Sequence, residues 1–115
     1  MPTTQKEETM AFHHVAELTE RKLLPGFVAK FIHAERMTLG FWTIQAGNQL
    51  PRHAHPHEQI SYLVDGQFEF MLGDETRLLE AGSVVVIPPN VAHSGRALTD
   101  CQVIDLFSPV REDYR

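Results

Sequence analysis

Turn residues divide this chain into short pieces, and that punctuation limits its fold more than any other feature. Asp65-Gly66, Gly73-Asp74, Ala81-Gly82 and Pro88-Pro89-Asn90 recur roughly every eight residues, the rhythm of all-β sandwiches and barrels. The pieces between them are β-branched or aromatic and too short for ordinary helices. Strands are expected over 27–32, 37–45, 59–64, 67–72, 76–80, 83–87, 91–94 and 102–107, with 15–24 either a helical turn or irregular. In 37–45, Met37, Leu39, Phe41 and Thr43 share one face and Trp42 and Ile44 the other, so a strand covered on both sides is expected. Phe68, Phe70 and Leu72 share a face of the next hairpin. No βαβ pattern is present.

At 115 residues the chain makes one domain and one core. Residues 1–10 read as a flexible polar tail and 11–115 as the folded barrel. The net charge of −5 argues against nucleic acid as a partner. The single cysteine, Cys101, excludes an intrachain disulfide. The polar start lacks a signal-peptide core, and no apolar run approaches the ~18 residues of a membrane span. A cytoplasmic protein with no membrane partner is therefore expected.

Residues 53–59 read His-Ala-His-Pro-His-Glu-Gln. Side chains two apart on a strand share a face, so His53 and His55 are expected to reach one point from one strand. His93 follows the Pro-Pro-Asn turn and could join them from another strand. Three converging imidazoles suit a divalent transition metal. His57, after Pro56, is expected beside the ligand set or at the surface. His13, His14 and His33 are expected at the surface or in strands.

Near the end, Val103, Asp105 and Phe107 share a face by period two. A carboxyl among apolar neighbours that looks into a barrel mouth is a candidate proton carrier with a raised pKa. Arg111, beyond Pro109, is a candidate fork for a substrate carboxylate. The plain alternative is an exposed Asp105 and an Arg111 paired with Glu112 or Asp113 in solvent.

Two of these stretches resemble the cupin motifs. Gly47-x5-His53-x-His55-x3-Gln59-x6-Gly66 is similar to the first, with Gln where Glu is usual. Gly82-x5-Pro88-x-Asn90-x2-His93 is similar to the second, with Ala97 where Asn is usual. The resemblance implies an RmlC-like double-stranded β-helix, a jelly-roll barrel, with His53, His55, Gln59 and His93 as metal ligands. Glu58 would replace Gln59 only if the loop shifted by one residue. Three imidazoles and an amide are neutral, so the ion would keep its full charge and favour anionic ligands.

Together with the tail Asp105-x-Phe107-Ser-Pro-x-Arg111-Glu-Asp-Tyr, the histidine run resembles the pectin-degradation cupins, which linearise unsaturated uronates. That resemblance implies one divalent ion (Ni, Zn, Mn or Fe), a small anionic sugar substrate, and Asp105, Phe107 and Arg111 acting on it. An iron-dependent oxygenase and a non-enzymatic sugar-binding barrel are the competing readings. A homodimer is expected, with the apolar stretch 27–44 supplying an interface strand.

Overall fold

A computed structural model describes residues 11–115, so the expected tail over 1–10 lies outside the described residues. The described chain is all-β, with ten strands and two short 3₁₀ turns, Val15–Glu17 and Glu112–Tyr114. The strands are β1 (Arg21–Leu24), β2 (Phe27–His33), β3 (Thr38–Ile44), β4 (Gln49–His53) and β5 (Glu58–Asp65). Then follow β6 (Gln67–Leu72), β7 (Glu75–Glu80), β8 (Val84–Ile87), β9 (His93–Ala97) and β10 (Cys101–Ser108). They form two antiparallel sheets. The larger runs β1-β2-β3-β10-β5-β8 and the smaller β4-β9-β6-β7. No helix among the described residues is long and apolar enough to cross a membrane.

Alternation builds the core. Phe27, Ala29, Trp42, Ile44 and Leu63 point inward from the large sheet, and Phe68, Phe70 and Ala97 meet them from the small one. Each of the Phe, Ile and Leu side chains contributes about 1.5–3 kcal/mol by leaving water, the alanines less. In β3 the inward set is Thr38, Gly40, Trp42 and Ile44. The opposite face is only partly covered: Leu39 and Phe41 are half-buried, and Met37 and Thr43 are exposed. The expected two-sided burial of this strand is thus corrected, because no second layer lies over its outer side among the described residues.

The Asp65-Gly66 turn joins β5 to β6 as expected. Gly66 has φ +99°, and a Cβ there would stand 2.4 Å from the Asp100 carbonyl oxygen, so only glycine fits. Asn90 has φ +64°, a conformation asparagine tolerates.

Two strands lie outside the expected set. β4 contains Pro51, which a strand accepts when it edges its sheet, and among the described residues β4 pairs only with β9. β1 is a short edge strand with Arg21 and Lys22 in it. The expected 91–94 strand begins later, at His93, because Pro88, Pro89 and Asn90 carry the chain around the barrel rim first.

Candidate metal centre

Three elements deliver the histidines. His53 ends β4, directly opposite His93, which begins β9. His55 does not share the strand of His53: β4 stops at His53, and His55 lies in the loop before β5. The parity expectation is corrected on that point, since Pro56 ends extended pairing. The rings still converge. Centroids of His53 and His93 are 4.2 Å apart, His55 and His93 5.0 Å, and His53 and His55 5.8 Å. One nitrogen from each lies within 4.8 Å of the others.

The backbone sets the tautomer of all three. Nδ1 of His53 faces the Pro51 carbonyl at 2.8 Å, Nδ1 of His55 the His57 carbonyl at 3.0 Å, and Nδ1 of His93 the Val91 carbonyl at 3.0 Å. A carbonyl oxygen only accepts, so each Nδ1 carries the proton and donates. Each Nε2 then presents a lone pair, the arrangement a metal ligand needs. Burial lowers the His93 pKa to about 4. Burial first, and then the Arg111 charge, lowers that of His55. Both rings are therefore neutral at pH 7. The loop before β9 braces two of these histidines, because the Asn90 N–H donates to the His55 carbonyl at 2.8 Å while the Val91 carbonyl holds His93.

Gln59 stands where a fourth donor would complete the set. It is buried on the inward face of β5, whereas Glu58 is exposed at the strand's start, so Gln59 is the inward neighbour. Its Oε1 stands 2.9 Å from His55 Nε2. With His55 Nδ1 protonated, two acceptors face each other across that distance, an arrangement that a cation between them would satisfy. The residues present therefore fit a divalent metal: four neutral donors with their lone pairs turned to one region.

The amide is oriented from behind. Gln59 Nε2 donates to Ser61 Oγ at 2.9 Å, and the Ser61 hydroxyl donates to Asp105 Oδ1 at 2.5 Å. Asp105 lies opposite Gly40 on β3 and Ser61 on β5. Burial raises its pKa to about 6, against the pull of Ser61, Gln59, Arg111 and Trp42.

Asp105, Phe107 and Arg111 are all buried, and each lines one cavity of about 80 Å³ together with His53, Gln59 and His93. Phe107 packs edge-on against His55, with centroids 5.9 Å apart. Arg111 lies over the rings of Tyr114 at 4.0 Å and Phe107 at 4.7 Å. Its Nε and Nη2 engage the Asp113 carboxylate at 2.9 and 2.7 Å. The expected alternative of an Arg111–Asp113 pair in solvent is half right: the pair exists, but its guanidinium is in the cavity wall. The Arg111 backbone N–H donates to Thr38 Oγ1 at 2.9 Å, and Tyr114 stacks on Phe31 at 4.7 Å. These contacts hold the C-terminal turn against the barrel mouth.

His57 is half-buried beside His55, 5.4 Å between centroids, with Nδ1 buried and unpartnered among the described residues. His13 and His14 are exposed, and His33 ends β2 with Nδ1 at 2.8 Å from Thr38 Oγ1. The sequence reading gives Ser61 no role, and gives Trp42 a strand face but no place beside Asp105. Ser61 was within reach of the period-two rule, being two residues beyond Gln59 on one strand.

Comparison with known proteins agrees with the fold. The Cupin domain family model matches residues 40–107. An uncharacterized protein of Streptomyces coelicolor is 30% identical over 91 residues, 78% of this chain and 87% of that protein. The pectin degradation protein KdgF of Dickeya dadantii is 38% identical over 64 residues, 54% of this chain and 58% of its own length. The solved structure of KdgF from Halomonas sp. superposes with a TM-score of 0.87 at 34% identity, covering 93% of this chain and all of that one.

Proposed function

The chain belongs to the cupin family, and from that premise we propose that it is a metal-dependent isomerase acting on unsaturated uronates. It would open the ring of a 4,5-unsaturated uronate to the linear 4-deoxy-5-keto acid. The observation that carries this reading is the shared cavity: Asp105, Phe107 and Arg111 line the same space as His53, Gln59 and His93. The similarity to KdgF proteins, named for pectin degradation, supports it.

A divalent cation held by His53, His55, His93 and Gln59 Oε1 would supply Lewis acidity toward a substrate oxygen. The rest falls to side chains. Arg111 is permanently charged and would hold the C6 carboxylate. Phe107 presents a ring for the sugar to lie against. Ring opening breaks C1–O5, removes a proton from the C1 hydroxyl and forms a C4–H bond, so the net change is an isomerisation. Asp105 accepts Ser61's hydroxyl at Oδ1, which leaves Oδ2 to carry that proton from oxygen to C4. No electrons are exchanged, so Zn²⁺, Ni²⁺, Mn²⁺ and Fe²⁺ would all serve.

The test is turnover of unsaturated galacturonate followed by proton NMR. The vinyl signal at C4 should vanish with metal-loaded protein and persist with chelator-treated protein. A vinyl signal that decays no faster than in protein-free buffer, with metal demonstrably bound, would overturn the reading.

A further inference from the structure

Asp105 and Arg111 line one cavity of about 80 Å³, and both are buried. A carboxyl and a guanidinium enclosed together attract strongly, because little water screens them. Among the described residues they nevertheless form neither an ion pair nor a hydrogen bond with each other. Each must be held back by a partner of its own. For Asp105 that partner is the Ser61 hydroxyl, which donates to Oδ1. Oδ2 stays open as an acceptor, whether or not the carboxyl is ionised. For Arg111 the partner is Asp113.

The second pair has a specific geometry. The Arg111 backbone is pinned, its N–H donating to Thr38 Oγ1 at 2.9 Å, so only the side chain has a direction to choose. Nε donates to Asp113 Oδ1 at 2.9 Å and Nη2 to Oδ2 at 2.7 Å, a side-on fork. That fork fills one edge of the guanidinium. Nη1 and the outer hydrogen of Nη2 remain, and together they form the end-on edge to which a ligand carboxylate can bind. The Arg111 side chain is 7% exposed and that of Asp113 57%, so the acid stands on the water side of the arginine. It belongs to the turn Glu112–Tyr114, which is built on the arginine itself, since the Tyr114 N–H donates to the Arg111 carbonyl at 3.0 Å.

We propose that Asp113 is the positioning residue of Arg111: by filling the Nε edge it keeps the guanidinium off Asp105 and leaves the end-on edge for a ligand. The rings do not decide this direction. The guanidinium lies over Tyr114 at 4.0 Å and Phe107 at 4.7 Å, but attraction to a ring face involves no directed hydrogen bond. A side-on carboxylate fixes both the plane and the heading. Where Arg111 points is independent of the proposed activity; that its open edge receives a uronate carboxylate rests on that reading.

A double-mutant cycle on the full chain tests this, read by crystallography at pH 7 and by ligand affinity. In Asp113→Ala the guanidinium should move to hydrogen-bond Asp105. In Asp113→Ala/Asp105→Asn it should not, because Ser61 holds the amide oxygen and the amide N–H groups face the cavity. The dissociation constant for saturated galacturonate, which lacks the double bond, should rise about tenfold with Asp113→Ala in the parent and less than about twofold in the Asp105→Asn background. Equal effects in the two backgrounds, or a guanidinium still over the Tyr114 ring in Asp113→Ala, overturn the proposal, since Asp113 would then merely brace the turn. Parent protein that binds neither saturated nor unsaturated galacturonate counts against the uronate reading instead, and the crystal structures alone then decide the position of Arg111. If alanine unstacks Tyr114 from Phe31, Asp113→Asn takes its place under the same criteria.

Discussion

Gly95→Ala tests how closely the small sheet must pack to hold His93. Gly95 lies mid-β9, opposite Leu50 on β4 and Phe70 on β6. A Cβ there would stand 2.2 Å from a ring carbon of Phe68 and 2.6 Å from the Glu69 carbonyl oxygen. Ordinary contact begins at 3.4 Å, so the ring must retreat by roughly 1 Å, and Phe68 is a 6%-exposed core residue with little room. The Glu69 oxygen is backbone and can yield only if β6 moves. Overpacking a core costs typically ~1–3 kcal/mol; with both a ring and a strand displaced, we expect about 2–4 kcal/mol. At about 4 °C per kcal/mol for a chain of this size, the Tm should fall by roughly 8–16 °C. Urea unfolding followed by the single tryptophan, Trp42, with chelator present, gives the comparison free of metal linkage. A loss below about 1 kcal/mol would refute the packing argument, because the methyl would then have found space that these distances deny.

Other outcomes follow from the site. Asp105→Asn keeps an acceptor for Ser61 but loses the proton, so turnover should fall by about 10²-fold or more while metal content by mass spectrometry is unchanged; a wild-type rate would remove Asp105 from the chemistry. Arg111→Lys replaces a planar fork with a point charge and should raise KM by about tenfold with a smaller change in kcat; an unchanged KM would take Arg111 out of substrate binding. His55→Ala should abolish stoichiometric metal, measured by the same assay, and full occupancy would break the ligand assignment. The hydrogen bonds from Arg111 hold the Asp113 carboxyl below its ordinary 3.8. A depressed folded-state pKa gives stability that is complete above the unfolded value and lost as pH falls through the folded one. The Tm gap between wild type and Asp113→Asn should therefore be present at pH 7 and shrink below pH 3.8; a gap that is constant with pH would disprove the linkage.

Much of the barrel was legible because its strands obey one periodicity. Phe68, Phe70 and Leu72 could be assigned a face since a hairpin with glycine fixes the register on both sides. β4 escaped because Gln49-Leu50-Pro51-Arg52-His53 offers one aliphatic residue and a proline, and only its place at the sheet edge reconciles that with a strand. His55 was set in the right region for the wrong reason. Parity describes a strand while it lasts, and where a strand ends depends on pairing partners far along the chain. The fate of Arg111 was equally out of reach, since burial of its guanidinium between Phe107 and Tyr114 depends on Thr38 and Phe31 from β3 and β2.

β10 occupies the middle of the large sheet, and the chain from it to the C-terminal turn supplies Asp105, Phe107 and Arg111 within seven residues. The side chains that would hold an ion come from β4, β5, β9 and one loop, and none from that stretch. The two halves of the centre are thus encoded separately. If Asp105, Phe107 and Arg111 meet the substrate as proposed, exchange of this one terminal cassette for that of a sister barrel would alter the molecule accepted while the histidine cluster stayed in place, so chemistry on such a scaffold could diversify by editing one short segment.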